Sequence, residues 1–261
     1  MELNNPYVDL LKRAVSNYLY YGAREPFNHF ESGSFYGRNA ALMKPVVPEV
    51  FLPHSALAVP KLNALQSLMF DVIVNGVPGD FIEAGIYRGG TAIFMCGFMK
   101  AYGINDRVVW AADSFAGIPI SKKYAHIKDP VDEWEHRYVA GFKEVQSTFR
   151  RYGLLDDHVR FIKGYFADTL PTAPIQQLAL ARLDADSYES TMDVLENLYP
   201  KMAVGGYVII DDWGLEKCRQ AVHDYRARLS INDPIHYVMG EKHETSAYEA
   251  FWRVDSHPPA A

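Results

Sequence analysis

The sequence is poor in cysteine, and this scarcity limits the kinds of protein that it can encode. Only two of its 261 residues are cysteines, and Cys96 lies in the apolar run TAIFMCGFM. Two such cysteines provide almost no material for a disulfide framework or for a cysteine-ligated metal site. We therefore expect a protein of a reducing compartment that depends on a hydrophobic core for its stability.

The sequence also lacks an excess of positive charge. Lys and Arg total 26 against 32 for Asp and Glu, which gives a formal net charge of −6. Proteins that bind nucleic acid need a basic surface to neutralise phosphates, so the composition predicts no nucleic-acid partner. The hydrophobic share of 49% and the charged share of 22% are close to the globular average, which excludes disorder for most of the chain.

Long hydrophobic runs are absent as well. The first residues, MELNNPYVDLLKRAV, show no basic segment followed by an apolar one, which is the pattern of a secretory signal. The longest apolar stretches are far shorter than the roughly 20 residues that a transmembrane helix needs. From this we predict a soluble cytoplasmic protein with no membrane partner.

Several motifs of well-known catalysts are missing. The chain has no G-x-S-x-G, no G-x-x-x-x-G-K and no H-E-x-x-H, which counts against hydrolase and P-loop chemistry. Of the nine histidines, only His126 and His136 lie in a segment where we expect substrate. A lone histidine is more often a surface group or a satisfied interior group than a ligand.

What the sequence does contain is a regular alternation of short apolar runs and helical stretches from Asp80 onward. The runs are DFIEAG, RVVWAADSF, VRFIKG, LALARLDAD and GGYVIIDDW, and a helix over 62–73 precedes them. This alternation predicts an α/β fold with a doubly wound parallel sheet that helices cover on both faces. After Pro234, IHYVM and EAFWRV predict an antiparallel pair at the sheet edge.

The rest of the chain is predicted to surround this sheet. We assign 1–60 to an N-terminal arm or lid with a short helix from about Tyr7 to Tyr21, 61–255 to the main domain and 256–261 to a flexible tail. The polar stretch 118–138 shows little periodicity and follows the second strand. A long structureless insertion of this kind is usually a functional lid or a binding loop.

The segment FIEAGIYRGGTAIFM, 81–95, carries the strongest local signal for a ligand. A strand runs into Glu83 and Gly85, and Gly89 and Gly90 open a helix whose first N–H groups are available to an anion. The spacing is not that of the dinucleotide fingerprint, but Asp113 ends the next strand, where a carboxylate can bind ribose hydroxyls. These features predict an adenosyl ligand without a pyrophosphate, such as S-adenosylmethionine, although glycine turns and strand-end acids are common in α/β proteins.

Four aspartates follow two later strands. Asp184 and Asp186 lie in LDADSYES, and Asp211 and Asp212 lie in IIDDWG. If these strands are neighbours, their carboxylates converge at the edge where open α/β sheets bind ligands, and an all-oxygen set selects a hard cation such as Mg²⁺. The alternative is that Asp186 and Asp212 are the N-caps of the helices that follow them.

In order and spacing, the strings DFIEAGIYRGG, VVWAADSFAGIP, GYFADTLP, ARLDADSYESTMDVLENLYPKM, GGYVIIDDWG and AFWRV resemble the metal-dependent sugar O-methyltransferases of the macrocin, mycinamicin and novobiocin type. The resemblance covers about 76–253. It implies a class I methyltransferase fold, S-adenosylmethionine as methyl donor, Mg²⁺ as metal, and a deoxysugar hydroxyl of a glycosylated natural product as acceptor. The habit of the family, together with the aromatic N-terminal segment, indicates a homo-oligomer.

The resemblance also assigns roles to residues of this chain. Asp184, Asp211 and Asp212 are the implied metal ligands, and Asp186 is the implied general base. The implied cofactor contacts are Glu83, Gly85, Tyr87, Arg88, Gly89, Thr91, Asp113, Ser114, Phe166, Asp168 and Asp184.

Two features depart from the family pattern. In the helix before the first strand, the family usually has a glycine followed by an arginine, where this chain has Pro60 and Lys61. The family string DDY-G reads Asp211-Asp212-Trp213-Gly214 in this chain, and the change to tryptophan could reshape the acceptor pocket. Two other functions stay open: a catechol-type O-methyltransferase that acts on an aromatic diol, and a non-catalytic adenosyl-binding protein.

Overall fold

Strands and helices alternate along the part of the chain that the structure, a computed structural model, describes: residues 2–19, 53–135, 137–238 and 248–257. The elements in chain order are α1 (Pro6–Val15), α2 (Val59–Val74), β1 (Asp80–Ala84), α3 (Gly90–Ala101), β2 (Val109–Asp113), α4 (Phe142–Arg151), β3 (Val159–Lys163), α5 (Phe166–Thr169), β4 (Leu178–Leu183), α6 (Tyr188–Leu198), β5 (Met202–Ile210), α7 (Glu216–Arg228), β6 (His236–Val238) and β7 (Glu249–Arg253).

The seven strands form one sheet with the order β3-β2-β1-β4-β5-β7-β6. Neighbours from β3 to β5 are parallel, whereas β7 runs antiparallel to both β5 and β6. This arrangement confirms the predicted doubly wound, mostly parallel sheet with an antiparallel pair at its edge. Because β1 and β4 lie side by side in the middle of the sheet, the loops that follow them meet at its C-terminal edge.

Each central strand contributes to two cores, one on each face of the sheet. Phe81 of β1 belongs to the core under α2 and α3, and its neighbour Ile82 belongs to the core under α6 and α7. The same alternation holds for Ile209 and Ile210 of β5. Burial on both faces explains why these strands are continuous apolar runs rather than alternating patterns.

The helices are short. The longest one in the described ranges, α2, has 16 residues, and no helix there is long and apolar enough to cross a membrane. The first helix ends at Val15, earlier than predicted, because Asn17 adopts a left-handed backbone with φ of 61°. Asn5 caps its start by accepting hydrogen bonds from the N–H groups of Tyr7 and Val8. Tyr21 lies outside the described residues.

The described part of the predicted N-terminal arm packs on the main domain. Val8, Leu11 and Val15 of α1 are buried in the same core as α3. Gly97 of α3 permits this contact, since a Cβ atom at Gly97 would lie 2.1 Å from Cδ2 of Leu11. The division of the chain at residue 60 stays a prediction, because 20–52 lie outside the described residues.

The loop over 118–138 is more regular than predicted. It contains two 3-10 helices, Ala125–Ile127 and Pro130–Trp134. The second helix begins at a proline that is preceded by Asp129, whose side chain accepts a hydrogen bond from Val131 N–H. The expectation of a structureless insertion was therefore wrong, because a proline and a capping aspartate were overlooked as local signals.

Candidate active site

A cavity of about 840 Å³ opens at the C-terminal edge of the sheet. Loops that follow β1, β2, β4 and β5 form its floor, and the 118–138 loop forms one wall. Most of the residues predicted to bind a cofactor or a metal line it, as does the predicted base Asp186: Gly85, Tyr87, Asp113, Ser114, Phe166, Asp168, Asp184, Asp211 and Asp212.

Four of the predicted cofactor contacts, Glu83, Arg88, Gly89 and Thr91, do not line this cavity. Glu83 is only 1% exposed, and its carboxylate bonds to Arg182 between β1 and β4. The hydroxyl of Thr91 lies 2.8 Å from that of Ser55. A Cβ atom at Gly89 would lie 2.8 Å from the ring of Phe149. Direct contact of these four residues with a cofactor stays a prediction.

The glycine turn after β1 brings chain segments together. Gly85 has a φ of 93°, and a Cβ atom there would lie 1.7 Å from the carbonyl oxygen of Asp184. The N–H group of Gly90 donates to the carbonyl oxygen of His54 at 3.0 Å. Of the first N–H groups of α3, which were expected to be available to an anion, that of Gly90 is therefore already bonded, because the chain at His54 covers the start of this helix.

Asp113 fastens this turn to the end of β2. Its Oδ2 atom accepts hydrogen bonds from the N–H groups of Ile86 and Tyr87, both at 2.9 Å, and its Oδ1 atom accepts one from Phe115 at 2.7 Å. Burial raises the pKa of the Asp113 carboxyl, and these three backbone donors oppose the rise. Asp113 thus shapes the loops at which a cofactor is predicted to bind.

Three carboxylates come together at the ends of β4 and β5. One oxygen from each of Asp184, Asp186 and Asp212 lies within 4.8 Å of the other two. The N–H group of Asp186 donates to Oδ2 of Asp212 at 2.9 Å, and Asp186 adopts a left-handed backbone with φ of 59°. The structure therefore brings together three of the four aspartates that the sequence singled out.

The alternative that these aspartates are helix caps was wrong. Ser187 is the N-cap of α6, and its hydroxyl accepts a hydrogen bond from Ser190 N–H at 3.1 Å. Leu215 occupies the N-cap of α7, which has no side-chain capping bond. Asp186 and Asp212 are therefore not needed to start either helix.

The electrostatics of the cluster favour a cation. Burial, and then the negative charge of Asp184, raise the pKa of Asp186 and of Asp212 well above the usual value. Burial and the nearby Asp211 raise the pKa of Asp184 to about 6. Carboxylates that repel one another in this way are stabilised by a bound cation, and oxygen donors select a hard one such as Mg²⁺. The residues present therefore fit the implied metal.

Asp211 has a different environment, which sequence reasoning missed. Its Oδ1 atom lies 2.8 Å from Nζ of Lys61 and 2.6 Å from Nη2 of Arg182. Although burial favours the neutral acid, these two cations lower the pKa of Asp211 to about 2. An arginine within the apolar run LALARL is the signal that could have indicated a buried ion pair.

The wall formed by 118–138 is fastened to α6. Oε2 of Glu189 accepts hydrogen bonds from the N–H groups of Lys122 and Tyr124 at 2.8 and 2.7 Å. Oδ2 of Asp129, which is 5% exposed, accepts one from Tyr188 N–H at 2.7 Å. These bonds hold the loop to the helix that follows Asp186.

Two residues weighed for the acceptor side take other positions. His126 is exposed and does not line the cavity, and His136 lies outside the described residues. Trp213 is fully buried, with its ring 5.9 Å from that of Tyr237, and does not line the cavity. Its effect on the acceptor pocket stays a prediction. The aromatic residues of the wall are Trp134 and Tyr138, and the Tyr138 ring packs edge-on against Tyr87.

Comparison with known proteins gives a consistent family. The model of the macrocin O-methyltransferase (TylF) family matches residues 4–243. The chain is 42% identical over 250 residues to the 8-demethyl-8-(2,3-dimethoxy-alpha-L-rhamnosyl)-tetracenomycin-C 4'-O-methyltransferase of Streptomyces olivaceus, covering 95% of this chain and 92% of the relative. It is 43% identical over 239 residues to the mycinamicin III 3''-O-methyltransferase of Micromonospora griseorubida, covering 88% of this chain and 91% of the relative.

A solved structure agrees with the sequence relatives. The fold is similar to that of the O-methyltransferase NovP, with a TM-score of 0.79 and 37% identity over 96% of this chain and 98% of the other. This similarity confirms the methyltransferase fold class that the sequence resemblance implied.

Proposed function

This chain belongs to the macrocin O-methyltransferase (TylF) family, and we propose that it transfers a methyl group from S-adenosylmethionine to a sugar hydroxyl of a glycosylated natural product in a Mg²⁺-dependent reaction. Methyltransferase activity follows from the family and from the relatives named above. The observation that carries the finer proposal is the acidic cluster, which shares one cavity with the glycine turn after β1.

The methyl donor is assigned to the side of the cavity formed by β1 and β2. S-adenosylmethionine, when bound, supplies an electrophilic methyl group on a sulfonium. Tyr87 and Ser114 line the cavity beside Asp113, and Phe166 and Asp168 line it after β3. Asp113 fixes both loops through backbone bonds and so supports the surface that is proposed to meet the cofactor.

The metal is assigned to the neighbouring side, where β4 and β5 end. Asp184, Asp211 and Asp212 are the proposed ligands. Oδ1 of Asp211 is engaged by Lys61 and Arg182, and these contacts hold the Asp211 carboxylate at the end of β5. Mg²⁺, when bound, orients a hydroxyl of the acceptor and lowers the pKa of that hydroxyl.

Asp186 is the proposed general base. One of its oxygens lies within 4.8 Å of those of Asp184 and Asp212, so a hydroxyl held at the ligands is within reach of it. A neutral sugar hydroxyl is a weak nucleophile, and removal of its proton during attack on the methyl group lowers the barrier. Asp186 would accept that proton on its carboxylate.

The acceptor is assigned to the wall formed by the 118–138 loop. Ile118, Ile120 and Trp134 give this side of the cavity an apolar surface, whereas the strand ends opposite are acidic. Such a surface suits the aglycone of a glycoside, with its sugar directed to the aspartates. The two named relatives act on a rhamnosyl tetracenomycin and on mycinamicin III, according to their names.

An acceptor panel tests the proposal. The protein is incubated with S-adenosylmethionine and Mg²⁺ and with one of three acceptors: a rhamnosylated aromatic polyketide, its free aglycone, or a catechol. Mass spectrometry identifies the product. We expect methylation of the glycoside alone, on the sugar. Methylation of the catechol alone would favour the catechol-type alternative, and binding of S-adenosylhomocysteine without methylation of any acceptor would favour a non-catalytic protein.

A further inference from the structure

Lys61 is a buried lysine that lines the cavity and contacts Asp211, one of the four site aspartates. We propose that Lys61 is a positioning residue that fixes the end of β5 so that Asp211 and Asp212 face the metal. This inference rests on the proposed metal-dependent function. It concerns a residue at which the sequence departs from the pattern of the family that it resembles.

The contacts of Lys61 are directed at one residue from two sides. Its Nζ atom lies 2.8 Å from Oδ1 of Asp211 and 3.1 Å from the carbonyl oxygen of the same residue. One contact fixes the side chain, and the other fixes the peptide group that joins Asp211 to Asp212. Lys61 is 5% exposed, so water does not compete for these bonds as it would at the surface.

Lys61 reaches this position because of the helix that carries it. It is the third residue of α2, and Pro60 precedes it at a helix position where a missing N–H has no cost. Leu62, Leu65 and Met69 bury the helix in the core, so the backbone of Lys61 is held rigidly. A rigid backbone leaves only the lysine side chain free to adjust to Asp211.

A second buried cation acts on the same carboxylate and on others. Nη2 of Arg182 lies 2.6 Å from Oδ1 of Asp211, while its Nη1 bonds to Asp184 at 3.0 Å and to Glu83 at 2.5 Å. Replacement of Arg182 would leave three carboxylates without this partner. Lys61 contacts Asp211 alone among the four aspartates of the site, so its replacement is the cleaner test.

The direction in which metal affinity changes when Lys61 is replaced distinguishes a positioning role of Lys61 from a purely electrostatic one. If Lys61 acted only as a positive charge beside the ion, its removal would strengthen metal binding, because like charges repel. If it positions the ligands, its removal weakens metal binding even though a repulsive charge is lost. Replacement of groups that orient metal ligands commonly lowers metal affinity about 10-fold to 100-fold.

The experiment measures two affinities of the full-length protein. Mn²⁺, as a spectroscopic substitute for Mg²⁺, is titrated and its free form counted by electron paramagnetic resonance; S-adenosylhomocysteine is titrated by calorimetry. We expect Lys61→Gln and Lys61→Met to bind Mn²⁺ about 10-fold or more weakly, with S-adenosylhomocysteine affinity within about twofold of the parent. Lys61→Arg, which keeps the charge and the donors, is expected to restore Mn²⁺ affinity.

Lys12 provides a matched control. It is also a buried lysine, 7% exposed, and its Nζ atom donates to Oδ1 of Asn63 on α2 at 2.6 Å. Lys12 pairs with Asp9 and does not line the cavity. Lys12→Met therefore removes a buried ammonium that contacts none of the four site aspartates, so the protein should lose stability and keep its Mn²⁺ affinity.

Unchanged or stronger Mn²⁺ binding in both Lys61→Gln and Lys61→Met would overturn the inference. An equal loss of Mn²⁺ affinity in Lys12→Met would overturn it as well. Should Lys61→Met fail to fold, Lys61→Gln alone decides by the sign of its change. A parent protein that binds no Mn²⁺ would instead contradict the proposed function, so the two failures are distinguishable.

Discussion

Single carboxylates in this site differ in role because different atoms reach them. Asp113 is held by three backbone N–H groups and Asp211 by two cations, whereas the side chain of Asp186 has neither kind of partner among the residues that the structure describes. The residue type is the same in all three cases. The local partners therefore decide whether an aspartate shapes a loop, anchors a strand end or remains available to accept a proton.

The loop-shaping role of Asp113 predicts the behaviour of Asp113→Asn. An amide has only one acceptor oxygen, so it cannot satisfy donors on both sides, and the turn after β1 should loosen. We expect S-adenosylhomocysteine affinity to fall by about 1–3 kcal/mol, measured by calorimetry. Asp80→Asn is the matched control, since Asp80 bridges Val108 and Trp110 at the opposite end of the sheet. An equal loss of affinity in Asp80→Asn would show a general effect on the fold.

The proposed base predicts a separate effect for Asp186→Asn. Asparagine tolerates the left-handed backbone of this position, and Ser187 caps α6, so folding should change little. Turnover should fall about 10²-fold to 10⁴-fold in initial-rate measurements, because an amide cannot accept the proton.

The same variant distinguishes a base from a metal ligand. As a base, Asp186 can be replaced by Asn while Mn²⁺ affinity stays close to that of the parent. As a ligand, its replacement would weaken Mn²⁺ binding together with turnover. Asp71→Asn serves as a control, since Asp71 accepts a bond from the Tyr207 hydroxyl away from the cavity.

The sequence identified these carboxylates more easily than their partners. Asp184, Asp186, Asp211 and Asp212 stand at the ends of apolar runs, and parallel strands place such ends together. Lys61 and Arg182 come from distant parts of the chain, and no local pattern pairs them with Asp211. The sequence also did not show why position 85 requires a glycine, because Asp184, whose carbonyl oxygen a Cβ atom there would meet, follows a different strand.

Among the elements, the 118–138 loop depends on α6 for its position. Glu189 accepts two of the loop's backbone N–H groups, and Asp129 accepts one from α6 in return. The sequence predicted the place of this loop after β2 but not its fastening, because hydrogen bonds between a loop and a later helix leave no periodic signal. Three hydrogen bonds thus fasten the loop to α6.

Removal of one fastening should loosen the wall. In Glu189→Ala the N–H groups of Lys122 and Tyr124 lose their acceptor, so we expect faster amide hydrogen exchange at both. The KM for the acceptor should rise by about 10-fold to 100-fold, because charged hydrogen bonds of this kind contribute about 1.5–3 kcal/mol.

Glu196→Ala on the same helix is the control for that prediction. Glu196 pairs with the exposed side chains of Lys123 and Arg228, and exposed ion pairs contribute little. Exchange at Lys122 and Tyr124 should stay slow in this variant. If amide exchange accelerated equally in Glu189→Ala and Glu196→Ala, the conclusion that Glu189 holds the loop would be contradicted.

For the whole molecule, the order of the sheet explains how one cavity could serve both the proposed methyl donor and the proposed metal. β1 and β2 carry the side assigned to the cofactor, β4 and β5 carry the acidic side, and β1 pairs directly with β4. The alternation of runs predicted the parallel sheet and its antiparallel edge. It could not predict the buried ion pairs beneath the cavity, which depend on three-dimensional packing.

The most direct test of this account is the rate of sugar O-methylation with and without free divalent metal. The initial rate is measured with S-adenosylmethionine and a methylatable glycoside, first in excess chelator and then after Mg²⁺ is restored. The account predicts that turnover disappears in chelator and returns with Mg²⁺, while S-adenosylhomocysteine affinity is unchanged throughout, since its predicted contacts lie mainly after β1 and β2. Full activity in excess chelator would contradict the account.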